Sequence, residues 1–150
     1  MKKYKIGYTT GVFDLFHIGH LNILKRAKEQ CEHLIVGIST DELVQAYKHK
    51  TPIIPFEERK EIVKSIKFVD QVVPQTSMDK FQAWKNLNFN VVFVGSDWQG
   101  TKKWQEYEKQ FGSVGVEVVY FPYTKGTSST MLRSVLQQVL EDKSLVKASY

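Results

Sequence analysis

A chain of 150 residues is long enough for one domain with a sizeable core and too short for two of ordinary size. Hydrophobic residues at 42% and charged residues at 25% describe a soluble globular protein, and no apolar run is long enough for insertion into a membrane. The net charge of +5 favours anionic partners such as nucleotides, phosphorylated metabolites or nucleic acid, and the one cysteine excludes an internal disulfide.

In chain order, Lys3 to Thr10 predicts a strand, with Tyr4, Ile6 and Tyr8 alternating against Lys5 and Gly7. Gly19 to Glu29 predicts a helix whose Leu21, Ile23, Leu24 and Ala27 form an apolar stripe, with Cys31 a small buried hydrophobe near its end. Leu34 to Ile38 is a continuous apolar run, the mark of a strand covered on both faces. Ser39-Thr40-Asp41-Glu42 reads as a capping turn into a short helix. Pro52 and Pro55 break the chain, and helical spacing returns from Phe56 to Ile66 through Ile62, Val63 and Ile66. Val69 to Val73 predicts a short strand, and Met78 to Leu87 a helix with Phe81, Trp84 and Leu87 on one side. Val91 to Val94 is another buried strand, ended by Gly95. Trp104 to Phe111 is helical, and Val116 to Phe121 is a last strand stopped by Pro122. Thr127 or Ser128 caps a C-terminal helix that runs through Met131, Leu132, Val135, Leu136, Val139 and Leu140.

Strand and helix alternate throughout, so the expected class is α/β: a parallel sheet with helices on both faces. No repeat, linker or low-complexity tract interrupts residues 1–150, which are read as one domain. The N-terminus lacks an apolar signal-peptide core, and with the lone cysteine this sets the expectation of a cytoplasmic protein. In open α/β sheets ligands bind beyond the carboxyl ends of the strands, which directs attention to residues 9–20, 39–50, 95–104 and 122–131.

The first of these holds the string GVFDLFHIGH, residues 11–20. Gly11 lets the backbone bend close to a ligand, and Gly19 removes a side chain where a helix begins, an end suited to phosphate. His17 and His20 lie three positions apart, so in a first helical turn they face one side and can donate to one phosphoryl group. Catalysis of that kind is electrostatic and positional, with no covalent enzyme intermediate. A metal site is the competing use of two histidines, but nothing downstream completes a ligand set. Asp14 is expected to bond the amides of its own loop. In the last segment, Thr124-Lys125-Gly126-Thr127-Ser128-Ser129-Thr130 offers hydroxyls and amides to phosphates at the start of a helix.

These residues resemble a known family. GVFDLFHIGH is similar to the G-x-F-D-x-x-H-x-G-H signature of the cytidylyltransferase-like nucleotidyltransferases, most of all to their glycerol-3-phosphate branch. The resemblance extends through Ile38-Ser39-Thr40-Asp41, Lys48, Glu58-Arg59-Lys60, Phe68-Val69-Asp70 and Gly95-Ser96-Asp97-Trp98 to the hydroxyl-rich segment. It implies a Rossmann-like nucleotidyltransferase fold, a homodimer, and attack by a small phosphorylated alcohol on the α-phosphate of CTP with Mg²⁺ carried mainly on the substrate phosphates. It implies catalytic roles for His17, His20 and Lys48. It places Thr10, Gly11, Val12, Phe13, Asp14, Gly19, Gly95, Asp97, Thr124, Gly126, Thr127, Ser128 and Ser129 around the nucleotide and its phosphates. Lys50, Arg59, Asp41 and Trp98 fall on the acceptor side; for Arg59 the competing reading is a helix-surface ion pair with a glutamate.

The chain departs from the family pattern in three places. Tyr123 stands where an arginine is usual, Lys125 where a glutamate is, and Ser96 replaces the first acid of G-D-D-W. His17-Ile18-Gly19-His20 also matches the HIGH string of class I aminoacyl-tRNA synthetases, but the chain has no room for an anticodon-binding domain. ATP-using relatives share the scaffold, and the bare motif does not distinguish cytosine from adenine. A nucleotide sensor or nucleic-acid binder is the non-enzymatic alternative, and the complete set of charged and hydroxyl groups argues against it.

Overall fold

The computed structural model describes residues 2–122 and 128–141. Five parallel strands form one sheet in the order β3-β2-β1-β4-β5: β1 Tyr4–Gly11, β2 Cys31–Ser39, β3 Gln71–Gln75, β4 Val91–Gly95 and β5 Glu117–Phe121. The helices are α1 Ile18–Gln30, α2 Asp41–Lys48, α3 Phe56–Lys64, α4 Lys80–Leu87, α5 Lys102–Gly112 and α6 Ser129–Glu141. β1 is central, and the chain leaves it toward β2 and later returns to its other side as β4. This is the doubly wound arrangement that opens a crevice at the carboxyl ends of the middle strands.

Alternation along the strands explains the two cores. Leu34, Val36 and Ile38 of β2 join Leu24 and Ala27 of α1 and Val63 of α3 on one face. Ile35 of β2 and Val92 of β4 join Phe81, Trp84 and Leu87 of α4 and Trp104, Tyr107 and Phe111 of α5 on the other. Trp84 and Trp104 are therefore core residues. Gly7 is needed where it stands: a Cβ there would come within 2.6 Å of the Phe93 ring and 2.8 Å of Cys31 Sγ. Cys31 is buried directly after α1, and its thiol donates to the Ala27 carbonyl at 3.3 Å.

Three elements differ from expectation. The strand expected at Val69 to Val73 runs two residues later, Gln71–Gln75, because Val69 closes a turn with Ile66 and the Asp70 amide bonds the Leu34 carbonyl. Pro74 is accommodated because β3 is an edge strand. In α3 the inner face is set by Arg59 and Val63, four apart, which turns Ile62 outward to 43% exposure. A short 3₁₀ turn at Ser96–Trp98, which the sequence pattern does not announce, follows β4. Ser128 caps α6 by accepting the Met131 amide at 3.1 Å, and Thr127 lies outside the described residues. Among the described residues no helix is long and apolar enough to cross a membrane.

Candidate active site

The loop between β1 and α1 is held in an uncommon backbone shape. Phe13 and Leu15, on either side of Asp14, have φ of 54° and 52°. A non-glycine residue there costs about 1–2 kcal/mol, so the surroundings must hold it. Phe13 does so with its ring, which is buried and meets His20 edge-on with centroids 5.2 Å apart. Phe13 therefore shapes the loop from below, whereas the resemblance puts it around the nucleotide.

Asp14 does the rest with its carboxylate. Oδ2 accepts the Ile53 amide at 2.8 Å and Oδ1 the Ile54 amide at 2.9 Å. The expected bonds to its own loop are replaced by bonds to the chain after α2, because the two segments lie side by side at the carboxyl edge of the sheet. Arg133 of α6 adds the carboxylate's third bond, to Oδ2 at 3.1 Å, and donates to the Thr51 carbonyl at 2.9 Å. Ser129 donates its hydroxyl to the Asp14 carbonyl at 2.5 Å. Ser128 and Ser129, expected around phosphate, thus serve α6 and the loop in this structure.

His17 is the N-cap of α1 in extended backbone, φ −142° and ψ −179°. Its Nδ1 accepts the Gly19 amide at 3.1 Å, and His20 Nδ1 accepts the His17 amide at 3.3 Å. The two imidazoles form a reciprocal capping box, the task that a hydroxyl and a carboxylate usually share. A ring nitrogen that accepts from an amide carries no proton, so each neutral ring bears its proton on Nε2. The rings stack with centroids 3.9 Å apart. Burial pushes the His20 pKa down to about 4, helped by His17 and opposed by Asp14; burial also lowers His17. Near neutral pH the site therefore presents two uncharged imidazoles with Nε2–H donors, at the positive end of a helix dipole.

A group of cationic side chains is joined to this loop through Asp14. Lys48 ends α2, just before His49 turns the chain at φ 57°. Its ammonium lies 5.5 Å from the centre of the Tyr47 ring. Partial burial lowers its pKa, and Lys50 and Arg133 lower it further by like charge. Lys48, Lys50 and Arg133 are thus electrostatic neighbours, and Arg133 leads through Asp14 to the histidines.

Arg59 is positioned differently from either expectation. It is fully buried. Its Nε donates to the Ile54 carbonyl, one terminal nitrogen to the Val12 and Ser39 carbonyls, each at 2.8 Å, and the other to Asp41 at 2.5 Å. Asp41 also accepts the Phe56 amide at 3.3 Å. The pair ties together the loops after β1 and β2 and faces protein acceptors. Of the other expected residues, Thr10 and Gly11 end β1 beside Gly37 and Ile38, and Gly95 ends β4. A Cβ on Gly95 would meet Asp97 Oδ1 at 2.8 Å, so glycine lets that carboxylate fold back. Trp98 is 50% exposed on the 3₁₀ turn. Thr124, Gly126 and Thr127, with Tyr123 and Lys125, lie outside the described residues.

Sequence reasoning passed over two residues. Arg133 could have been found, since it lies four positions after Ser129 on the same side of a predicted helix. Lys80 could not. It is buried at the carboxyl edge of β3, donates to Gln75 Oε1 at 3.0 Å, and has no carboxylate partner among the described residues. Burial, with Lys103 adding like charge, pushes its pKa down to about 8.

Residues 8–135 match the family model described as Cytidylyltransferase-like. The chain belongs to that family. It is an α/β nucleotidyltransferase with a Rossmann-type sheet. It is 36% identical to the glycerol-3-phosphate cytidylyltransferase of Staphylococcus aureus, over 85% of this chain and 92% of that one. It is 32% identical to the FAD synthase of Thermococcus sibiricus, over 93% of this chain and 96% of that one. Among solved structures it resembles a lipopolysaccharide core biosynthesis protein from Thermoplasma volcanium, with a TM-score of 0.68, 23% identity, and coverage of 83% of this chain and 99% of that one. Such a likeness shows the shared fold.

Proposed function

We propose that this cytidylyltransferase-like enzyme transfers the cytidylyl group of CTP to a small phosphomonoester, glycerol 3-phosphate, releasing pyrophosphate and forming CDP-glycerol. The observation that carries the reading is the pair of neutral imidazoles whose Nδ1 atoms are both engaged by amides, leaving two Nε2–H donors stacked side by side. An oxygen of the acceptor phosphate attacks the α-phosphorus of CTP. The bond from that phosphorus to the bridging oxygen breaks opposite it, and pyrophosphate departs with the electron pair. The acceptor dianion needs no base. The two donors hold the α-phosphate oxygens as charge builds, and Lys48 with Lys50 offsets the charge of the triphosphate.

Among the described residues no group of three or more His, Cys, Asp or Glu side chains could hold a metal ion. Asp14 is occupied by two amides and Arg133. The described residues offer no metal cage of their own, so Mg²⁺ belongs to this proposal as an ion carried on the triphosphate. A homodimer belongs to it too, supported by the exposed Met131, Val135, Leu136, Val139 and Leu140 on α6; sedimentation at twice the chain mass is the expected result.

The FAD synthase likeness favours a second reading, adenylyl transfer from ATP to a flavin phosphate. One experiment separates the two: each nucleoside triphosphate is paired with glycerol, choline, ethanolamine, sugar and flavin phosphates, and pyrophosphate is measured. Release confined to CTP with glycerol 3-phosphate supports the first reading. Release with ATP and flavin phosphate replaces it with the second.

A further inference from the structure

Three segments distant in sequence meet at Asp14, and one side chain spans two of them. The Asp14 carboxylate accepts Ile53 and Ile54, and its carbonyl accepts Ser129. A single terminal nitrogen of Arg133 donates to both Asp14 Oδ2 and the Thr51 carbonyl. The stretch 49–55 leaves α2 immediately after Lys48, so the path of this stretch sets where the Lys48 ammonium stands. Its far end is held independently, by Arg59 on the Ile54 carbonyl. Near Lys48 the holding is different: Ile53 keeps its side chain in solvent, and Thr51 is exposed. The bonds there are the His49 amide on the Gln45 carbonyl, Arg133 on the Thr51 carbonyl and Thr51 Oγ1 on Gln45.

We propose that Arg133 is a positioning residue that locks the Lys48 end of this stretch to the histidine-bearing loop, so that lysine and imidazoles act on one phosphate group. The proposal rests on nucleotidyl transfer at this site. A guanidinium suits the task because one of its terminal nitrogens carries two hydrogens in a fixed plane, one for a carboxylate and one for a carbonyl lying in different segments. Its positive charge also faces Lys48, and Asp14 offsets that repulsion at the same contact. Removing Arg133 frees the stretch at Thr51 and leaves Asp14 its two amide partners, so the fold is retained.

The test is a double-mutant cycle with Lys48, with amide exchange as a readout that needs no activity. Arg133→Met is expected to lower kcat about 10-fold or more while KM for CTP changes less than about 3-fold. In a Lys48→Ala background the same change should cost less than about 2-fold, because the lysine it positions is gone. Arg133→Lys should recover part of kcat, since an ammonium has donors for both acceptors but stands on a shorter, more flexible arm that holds them less firmly. In the substrate-free protein the His49 amide, which donates to the Gln45 carbonyl at the Lys48 end of the stretch, should exchange about 10-fold faster in Arg133→Met. Multiplicative effects of the two mutations would overturn the proposal. So would a rise in KM for CTP with kcat preserved, which would place Arg133 on the substrate itself. Unchanged exchange at His49 would overturn it even if the protein transfers no nucleotide, and loss of transfer in the wild type would instead count against the functional reading. If Arg133→Met fails to fold, Arg133→Gln takes its place in the cycle, and the same outcomes support or overturn the proposal.

Discussion

Two neighbouring helices start at the carboxyl edge of the sheet in contrasting ways. After β2, α2 begins with Thr40, whose hydroxyl accepts the Leu43 amide at 3.2 Å, and with Asp41 and Glu42 in its first turn. After β1, α1 begins with His17 and His20 and has no acidic residue in its first turn. The first is an ordinary cap: small oxygens and negative charge satisfy amides and oppose the dipole. The second satisfies amides with imidazole nitrogens, leaves the dipole unopposed, and keeps two Nε2–H donors for something else. In the proposed reaction those two donors are the ones that meet the phosphate.

The largest expected effect strikes both starts together. Arg59 lies beneath them, donating to Val12 before α1 and to Ser39 and Asp41 at α2. Arg59→Met should lower unfolding free energy by about 3–5 kcal/mol in urea titration, because it leaves the Val12, Ser39 and Ile54 carbonyls without this donor and Asp41 without its cation. A loss below about 1 kcal/mol would mean that the two loops stand without it.

Next come changes that should separate the cap from the chemistry at α1. His20→Asn and His17→Asn keep a side-chain acceptor near the position of Nδ1 and remove the Nε2 donor. Each should cost about 10²-fold or more in turnover, with thermal stability nearly intact. Loss of both properties in parallel would reduce the pair to a structural cap.

The pH dependence sharpens the same contrast. The folded protein holds His20 near a pKa of about 4 through burial, whereas an unfolded histidine takes its proton near 6.5. The unfolded chain therefore binds more protons between those values. The stabilising contribution is complete above pH 6.5 and is lost as pH falls toward 4, with His17 acting in the same direction. Between pH 7 and pH 5 the His20 part amounts to about 2 kcal/mol, and His20→Asn should abolish it. Equal acid losses in wild type and variant would show that another group governs the effect.

The smallest effect belongs to α2. Thr40→Ala should cost about 1 kcal/mol of stability and leave turnover within about 3-fold, the reverse of the α1 variants. A turnover loss as large as that from His20→Asn would erase the distinction between the two starts.

Much of this architecture was legible because its signals are local. Continuous apolar runs at Leu34 to Ile38 and Val91 to Val94 marked buried parallel strands, and the spacing of His17 and His20 put them on one side of a helix start. The errors came from side chains whose surroundings are remote in sequence. Arg59 read as surface or substrate-facing because nothing near it announces the carbonyls of Val12 and Ser39. Asp14 read as serving its own loop, although its partners lie at Ile53, Ile54 and Arg133.

Local pattern and residue chemistry alone determined the α/β class, the family signature and the placing of two histidines on one side of a helix start, since period, composition and spacing are properties of a few adjacent residues. Tertiary structure decided which charges face inward, which ring nitrogens carry protons, and how Lys48, Asp14 and Arg133 are joined. Those depend on hydrogen-bond partners that only a parallel sheet, ordering strands out of sequence, brings together.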